Sequence, residues 1–154
     1  MGVKPLRSCQ SCLENEEGLV KAMRNSSFLI RFIYAICLAG ASFNHARIVA
    51  AHGFDWDYGG LPAFVCVFWT ALTFVDALAV ILLMTKPILG LGLATAIIVC
   101  DVVINAWVGM RYGFDLASFA AQALFLVFVM STVGIAWRAE SGGSGRRTAA
   151  GRSA

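Results

Sequence analysis

Charge is what this sequence has least of. Only 14% of its 154 residues are Asp, Glu, Lys or Arg, while 59% are apolar. An ordinary soluble domain carries about 25% charged and roughly 45–50% apolar residues. A chain this short has too much surface to hide that excess in a single water-facing core. A lipid bilayer is therefore the expected surrounding. Other absences narrow the field further. No surface interleaving basic and aromatic residues is visible, so nucleic acid is not an expected partner. No Gly-rich phosphate loop and no nucleophile–base spacing is present, and neither points to an enzyme. No apolar run lies early enough, with a small-residue cleavage site behind it, to read as a secretory signal. The first apolar run is expected to be a retained anchor.

Cysteine is present without a framework. Cys37, Cys66 and Cys100 lie inside apolar runs, where cysteine behaves as a small buried hydrophobe. Cys9 and Cys12 have the spacing of a zinc or dithiol pair, but no second pair accompanies them, and a floppy segment holding them by chance is the favoured reading. A dimer would be needed to bring four thiolates together.

What the sequence does have is four apolar stretches, about Phe28 to Ile48, Leu61 to Met84, Ile88 to Met110 and Leu116 to Trp137. A hydrocarbon core of ~30 Å needs about 20 helical residues. Four segments cannot close a barrel, and a span must satisfy its backbone internally, so helices are predicted. Short links, Thr85-Lys86-Pro87 and Arg111 to Asp115, force antiparallel neighbours. The fold class expected is all-α, a transmembrane four-helix bundle running up and down. It divides into an N-terminal segment (1–27), the helical domain (28–138) and a disordered tail (139–154). Lys21, Arg24, Lys86, Arg138, Arg146, Arg147 and Arg152 gather on one side, against Arg47 and Arg111 on the other. The side richer in Lys and Arg is the cytoplasm, so both termini are expected there.

Ionisable groups within a span are costly, and each is by default a hypothesis about function. With ~1.5 Å rise per residue, Asn44 and His45 of the first span, Asp101 and Asn105 of the third, and Gln122 of the fourth reach a similar depth in the outer half of the bilayer. Lipid cannot satisfy them, so they are expected to turn inward and meet as a ligand or proton site. His52 follows His45 by two turns. His45, His52 and Asp101 are the candidates for a divalent metal, imidazole plus carboxylate suiting a transition ion. Haem between two helices would want histidines on different helices, and both lie on one. Lower down, Arg31 and Asp76 are expected to form a structural ion pair; the alternative reads Asp76 and Asp101 as two stations of a proton path.

Phe68-Trp69-Thr70-Ala71-Leu72-Thr73-Phe74-Val75-Asp76-Ala77-Leu78-Ala79, then Gly90-Leu91, then Ala96-Ile97-Ile98-Val99-Cys100-Asp101-Val102-Val103-Ile104-Asn105 resembles a set of small bacterial membrane proteins of unknown function. So do Phe43-Asn44-His45-Ala46-Arg47 and the loop Phe54-Asp55-Trp56-Asp57-Tyr58-Gly59-Gly60-Leu61-Pro62. The likeness covers residues 40 to 110 and implies a bacterial inner (plasma) membrane setting without a catalytic signature. The chain is also about the size of quinone-reductase-like four-helix membrane proteins, without their paired periplasmic cysteines. The leading expectation is a non-enzymatic binding or transport component, working as a homodimer or with another membrane subunit. The alternatives are a metal- or haem-dependent redox subunit and a structural accessory subunit.

Overall fold

A computed structural model describes the backbone of residues 6–150 and the side chains of residues 18–142. Four helices account for nearly all of it: α1 (Leu6–His52), α2 (Ala63–Thr85), α3 (Pro87–Tyr112) and α4 (Leu116–Ala150). No strand occurs among the described residues. Each helix contains a stretch long and apolar enough to cross a membrane: Gly18–His52, Ala63–Thr85, Pro87–Tyr112 and Leu116–Gly142. The chain is a multi-pass membrane protein. The side chains of Cys9 and Cys12 lie outside the described residues.

The helix ends follow local chemistry. Pro62 precedes α2, and Pro87 opens α3, where its missing N–H costs nothing. Between α2 and α3 the chain reverses at Lys86, whose N–H returns to the Leu82 carbonyl at 2.7 Å. Gly113 ends α3 at φ 105°, a conformation that only glycine adopts without strain. Asp115 then caps α4, accepting the N–H groups of Ala117 and Ser118 at 3.2 and 3.3 Å. Two helices outrun the expected spans. α1 has 47 residues, ~70 Å at the helical rise, so part of it stands outside a ~30 Å hydrocarbon layer. α4 continues past Trp137 to Ala150, into the stretch expected as a tail.

α1 packs on α2 and α4, and α3 packs on α2 and α4, with slight α1–α3 contact. Side-chain bonds give the directions. Arg31 reaches the Leu83 carbonyl while Ser42 reaches that of Thr73, so α2 descends as α1 rises. Ser27 bonds Glu140 and Tyr34 bonds Thr132, so α4 descends likewise. One end, the terminal end, holds the outer parts of α1 and α4 and the α2–α3 link. The other, the loop end, holds the 53–62 loop and the α3–α4 link.

Each helix buries one stripe. On α2 it is Val65, Leu72, Asp76, Ala79 and Leu83; on α3, Gly90, Leu91, Ala94, Ile97, Ile98, Val108 and Gly109. α1 contributes Ser27, Arg31, Tyr34, Ala35 and Leu38, and α4 Val129 and Ala136. The opposite faces are bare hydrocarbon: Val67, Leu124 and Val127 are 68%, 72% and 66% exposed, a pattern that suits lipid. Lipid tails are as apolar as leucine, so helices associate through close packing of small residues instead. Ala35, Ala79, Ala94 and Ala136 are all buried, and Gly90 makes the closest approach. A Cβ there would run into the Leu83 backbone and the Leu82 carbonyl carbon, whereas at Gly92 it would meet only the Trp137 ring at 3.8 Å.

Gly90→Ala is therefore expected to destabilise the detergent-solubilised protein by about 1–3 kcal/mol, the ordinary range for overpacking, while Gly92→Ala leaves the thermal transition in place. Equal transitions for the two variants would show that α2 and α3 do not meet at Gly90.

Candidate functional site

Four elements converge at the loop end around a cavity of about 130 Å³. α2 supplies Trp69, α3 supplies Asn105, Val108 and Gly109, the link supplies Gly113, Phe114 and Asp115, and α4 supplies Ser118, Phe119 and Gln122. Asn105 lies seven residues inside the end of α3 and Gln122 six inside the start of α4, so the cavity reaches ~10 Å into the helices. Asp115 stands at its exposed mouth. Its Oδ2 accepts the Ser118 hydroxyl at 2.6 Å. That bond, with backbone N–H groups of the same turn, holds the Asp115 carboxyl below its ordinary range. Trp69 is braced from the far side by Tyr58, ring to ring at 5.0 Å. Tyr58 itself sits at φ 51° in the loop, a strained conformation for a bulky residue.

Asn105 is the link from this cavity to the interior. Its Nδ2 donates to the Asp101 carbonyl at 2.9 Å and to Asp101 Oδ1 at 2.8 Å. Asp101, half-buried, sits within Coulombic reach of Asp76 on α2. Asp76 is 1% exposed, and its Oδ1 has no hydrogen-bond partner. Gln122 Oε1 is another buried oxygen without a partner. Unmatched polar atoms in a low-dielectric interior cost free energy, and a lone buried carboxylate contributes nothing that an apolar residue would not do better.

Of the five residues expected at one site, the structure brings Asn105 and Gln122 to the cavity and puts Asp101 directly behind Asn105. Asn44 is exposed and faces away. His45 is half-buried with Nδ1 unpartnered, and it makes no hydrogen bond to Asp101 or Asn105. The reason is topological: α1 touches α3 only slightly, so equal depth does not become contact. The metal trio is not assembled either. His52 stacks on Trp56 at 4.2 Å in the exposed loop region, and no group of three His, Cys, Asp or Glu residues that could hold an ion forms among the described residues.

The expected Arg31–Asp76 pair is replaced by another. Arg31 Nη1 donates to the Leu83 carbonyl at 2.6 Å, and Nη2 lies 3.2 Å from Glu140 Oε1. The Ser27 hydroxyl bonds the same carboxylate at 2.7 Å, and the Phe28 ring lies 5.8 Å from the guanidinium carbon. Leu83 is seven residues, ~10 Å of rise, from Asp76, beyond the comfortable span of the arginine once it bonds there. Sequence reasoning missed Glu140 because it was assigned to the tail; its place one turn from Ala136 on the buried stripe was the available signal. Asp115, three residues before Ser118 at the start of a span, also carried a readable cap signature.

These helices define a multi-pass membrane protein with a polar cavity at its loop end. No protein-family model matches the chain, and neither a curated protein nor a solved structure matches it.

Two stability measurements follow. Glu140→Ala strands a buried guanidinium and is expected to cost about 3 kcal/mol, the lower end for breaking such a pair, with Glu140→Gln milder. Asp76→Asn, by contrast, is expected to leave the thermal transition unchanged or raised, because the carboxylate is unpaired; a drop on the order of 2 kcal/mol would reveal a partner that Asp76 depends on.

Proposed function

We propose that this chain is a solute-binding component of a bacterial inner membrane, taking a small polar ligand into the loop-end cavity from the periplasmic side. The observation that carries this reading is the cavity itself: Asn105, Asp115, Ser118 and Gln122 line it, and Asn105 couples it to the half-buried Asp101. Ligand sites are concave and mostly apolar, with a few convergent polar groups, and this cavity has that composition. At the terminal end Ser27, Arg31 and Glu140 bond one another, and of their buried polar atoms only Arg31 Nε is left without a partner. In the cavity wall, Gln122 Oε1 stays unspent.

In this reading the four helices form an up-and-down antiparallel bundle with both termini in the cytoplasm. Lys21, Arg24, Lys86 and Arg138 at the terminal end support that orientation, with Arg47 and Arg111 at the other. Trp56, Tyr58, Trp107 and Tyr112 cluster near the loop end, the residue types of a membrane–water interface. Transport across the bilayer would call for a second copy or another membrane subunit, since the helices close on one another at the terminal end through Arg31 and Gly90.

In a variant with its native cysteines replaced, Ser118→Cys is expected to react with a membrane-impermeant maleimide applied to intact cells with a permeabilised outer membrane. Ser141→Cys, at the opposite end, reacts only after lysis. Reversal of the two patterns overturns the orientation, and a Ser118→Cys that never reacts removes the water-accessible cavity.

A further inference from the structure

Resting on the proposed binding function, the chemistry of the cavity wall narrows the ligand. The formal charge there is of one sign. Asp115 stands at the mouth, and Asp101 lies one turn behind Asn105. No Lys, Arg or His lines the cavity among the described residues. The buried guanidinium that might have answered these carboxylates, Arg31, is committed to Glu140 and the Leu83 carbonyl far down the helices. An anion entering here would meet like charge from Asp115 at the mouth and from Asp101 behind Asn105, whereas a cation would be drawn to both.

Hydrogen bonding points the same way. Asn105 spends its donor group on Asp101, and the Ser118 hydroxyl is spent on Asp115. Gln122 Oε1 is buried and waiting for a donor. Three of the lining residues, Trp69, Phe114 and Phe119, are aromatic. Aromatic faces attract organic cations and favour Trp above the others, and they also shelter alkyl groups. Metal ions fit less well, since no three carboxylate, thiolate or imidazole ligands gather among the described residues. As to size, a cavity of about 130 Å³ is comparable with the 150 Å³ or so that holds benzene in an engineered protein interior.

We infer that the loop-end cavity binds a small organic ammonium ion, with Asp115 and the Asp101 carboxylate behind Asn105 supplying the counter-charge and Trp69 the aromatic face.

The test uses the full chain in a neutral detergent, titrated calorimetrically with choline and with 3,3-dimethylbutan-1-ol, which has the same shape with carbon in place of the charged nitrogen. Choline is expected to bind at least about tenfold more tightly, the scale of a desolvated cation–π and charge contribution. Asp115→Asn is expected to lose roughly that factor while keeping its thermal transition, because asparagine caps a helix as well as aspartate does. Trp69→Leu weakens choline and spares the neutral analogue. Equal affinity for the two probes, or an Asp115→Asn variant that binds choline unchanged, overturns the cation assignment. So does the absence of heat from both probes, and if Ser118→Cys is still labelled from outside in that case, the open cavity survives and only its ligand class falls.

Discussion

The constraint that organises this molecule is the inability of hydrocarbon to hydrogen-bond. Each polar group that enters a span must find a partner on a neighbouring helix, retreat to an interface or stand unsatisfied. The terminal end comes nearest the first outcome, with Arg31 Nε left unmatched. Arg31, Glu140 and Ser27, with the Leu83 carbonyl, form a connected set spanning α1, α2 and α4, and Tyr34 continues it by bonding Thr132 and the Val129 carbonyl. These contacts pin three helices to one register. Their worth lies less in net stability than in what separating them would expose.

Toward the loop end more buried polar atoms go unmatched, Gln122 Oε1, Tyr58 Oη and His45 Nδ1 among them, which supports the functional reading. There Trp69, α3, the α3–α4 link and α4 surround a cavity whose wall carries carboxylate and amide oxygens and no basic side chain among the described residues. At the other end α2 and α3 approach closely at Gly90, where a Cβ would meet the Leu83 backbone. Local rules are obeyed along most of the chain and fail at the buried Asp76, and such failures tend to mark function.

Much of this was readable beforehand. The four helices and their membrane character follow from the length of the apolar runs, because a bilayer offers few alternatives to a helix of about 20 residues. That Asn105 and Gln122 reach one level was also readable, being simple arithmetic along a regular rise, and both line the cavity. Facing was harder. Asn44 and His45 share that depth, yet Asn44 faces outward and His45 finds no partner, because α1 and α3 lie diagonally opposed and barely touch. The histidine–metal expectation fell with it, since His52 sits in the loop region against Trp56.

The amino-acid sequence by itself determined that the chain lives in a membrane as helices, which residues are costly there and how far along its helix each lies, because hydropathy and helical rise are properties of single segments. Tertiary structure alone decided which costly residues are matched. Arg31 chose Glu140 over Asp76, and Asn105 rather than His45 took Asp101, since pairing depends on the distance between helices and the register in which they pack. One-dimensional periodicity carries neither quantity.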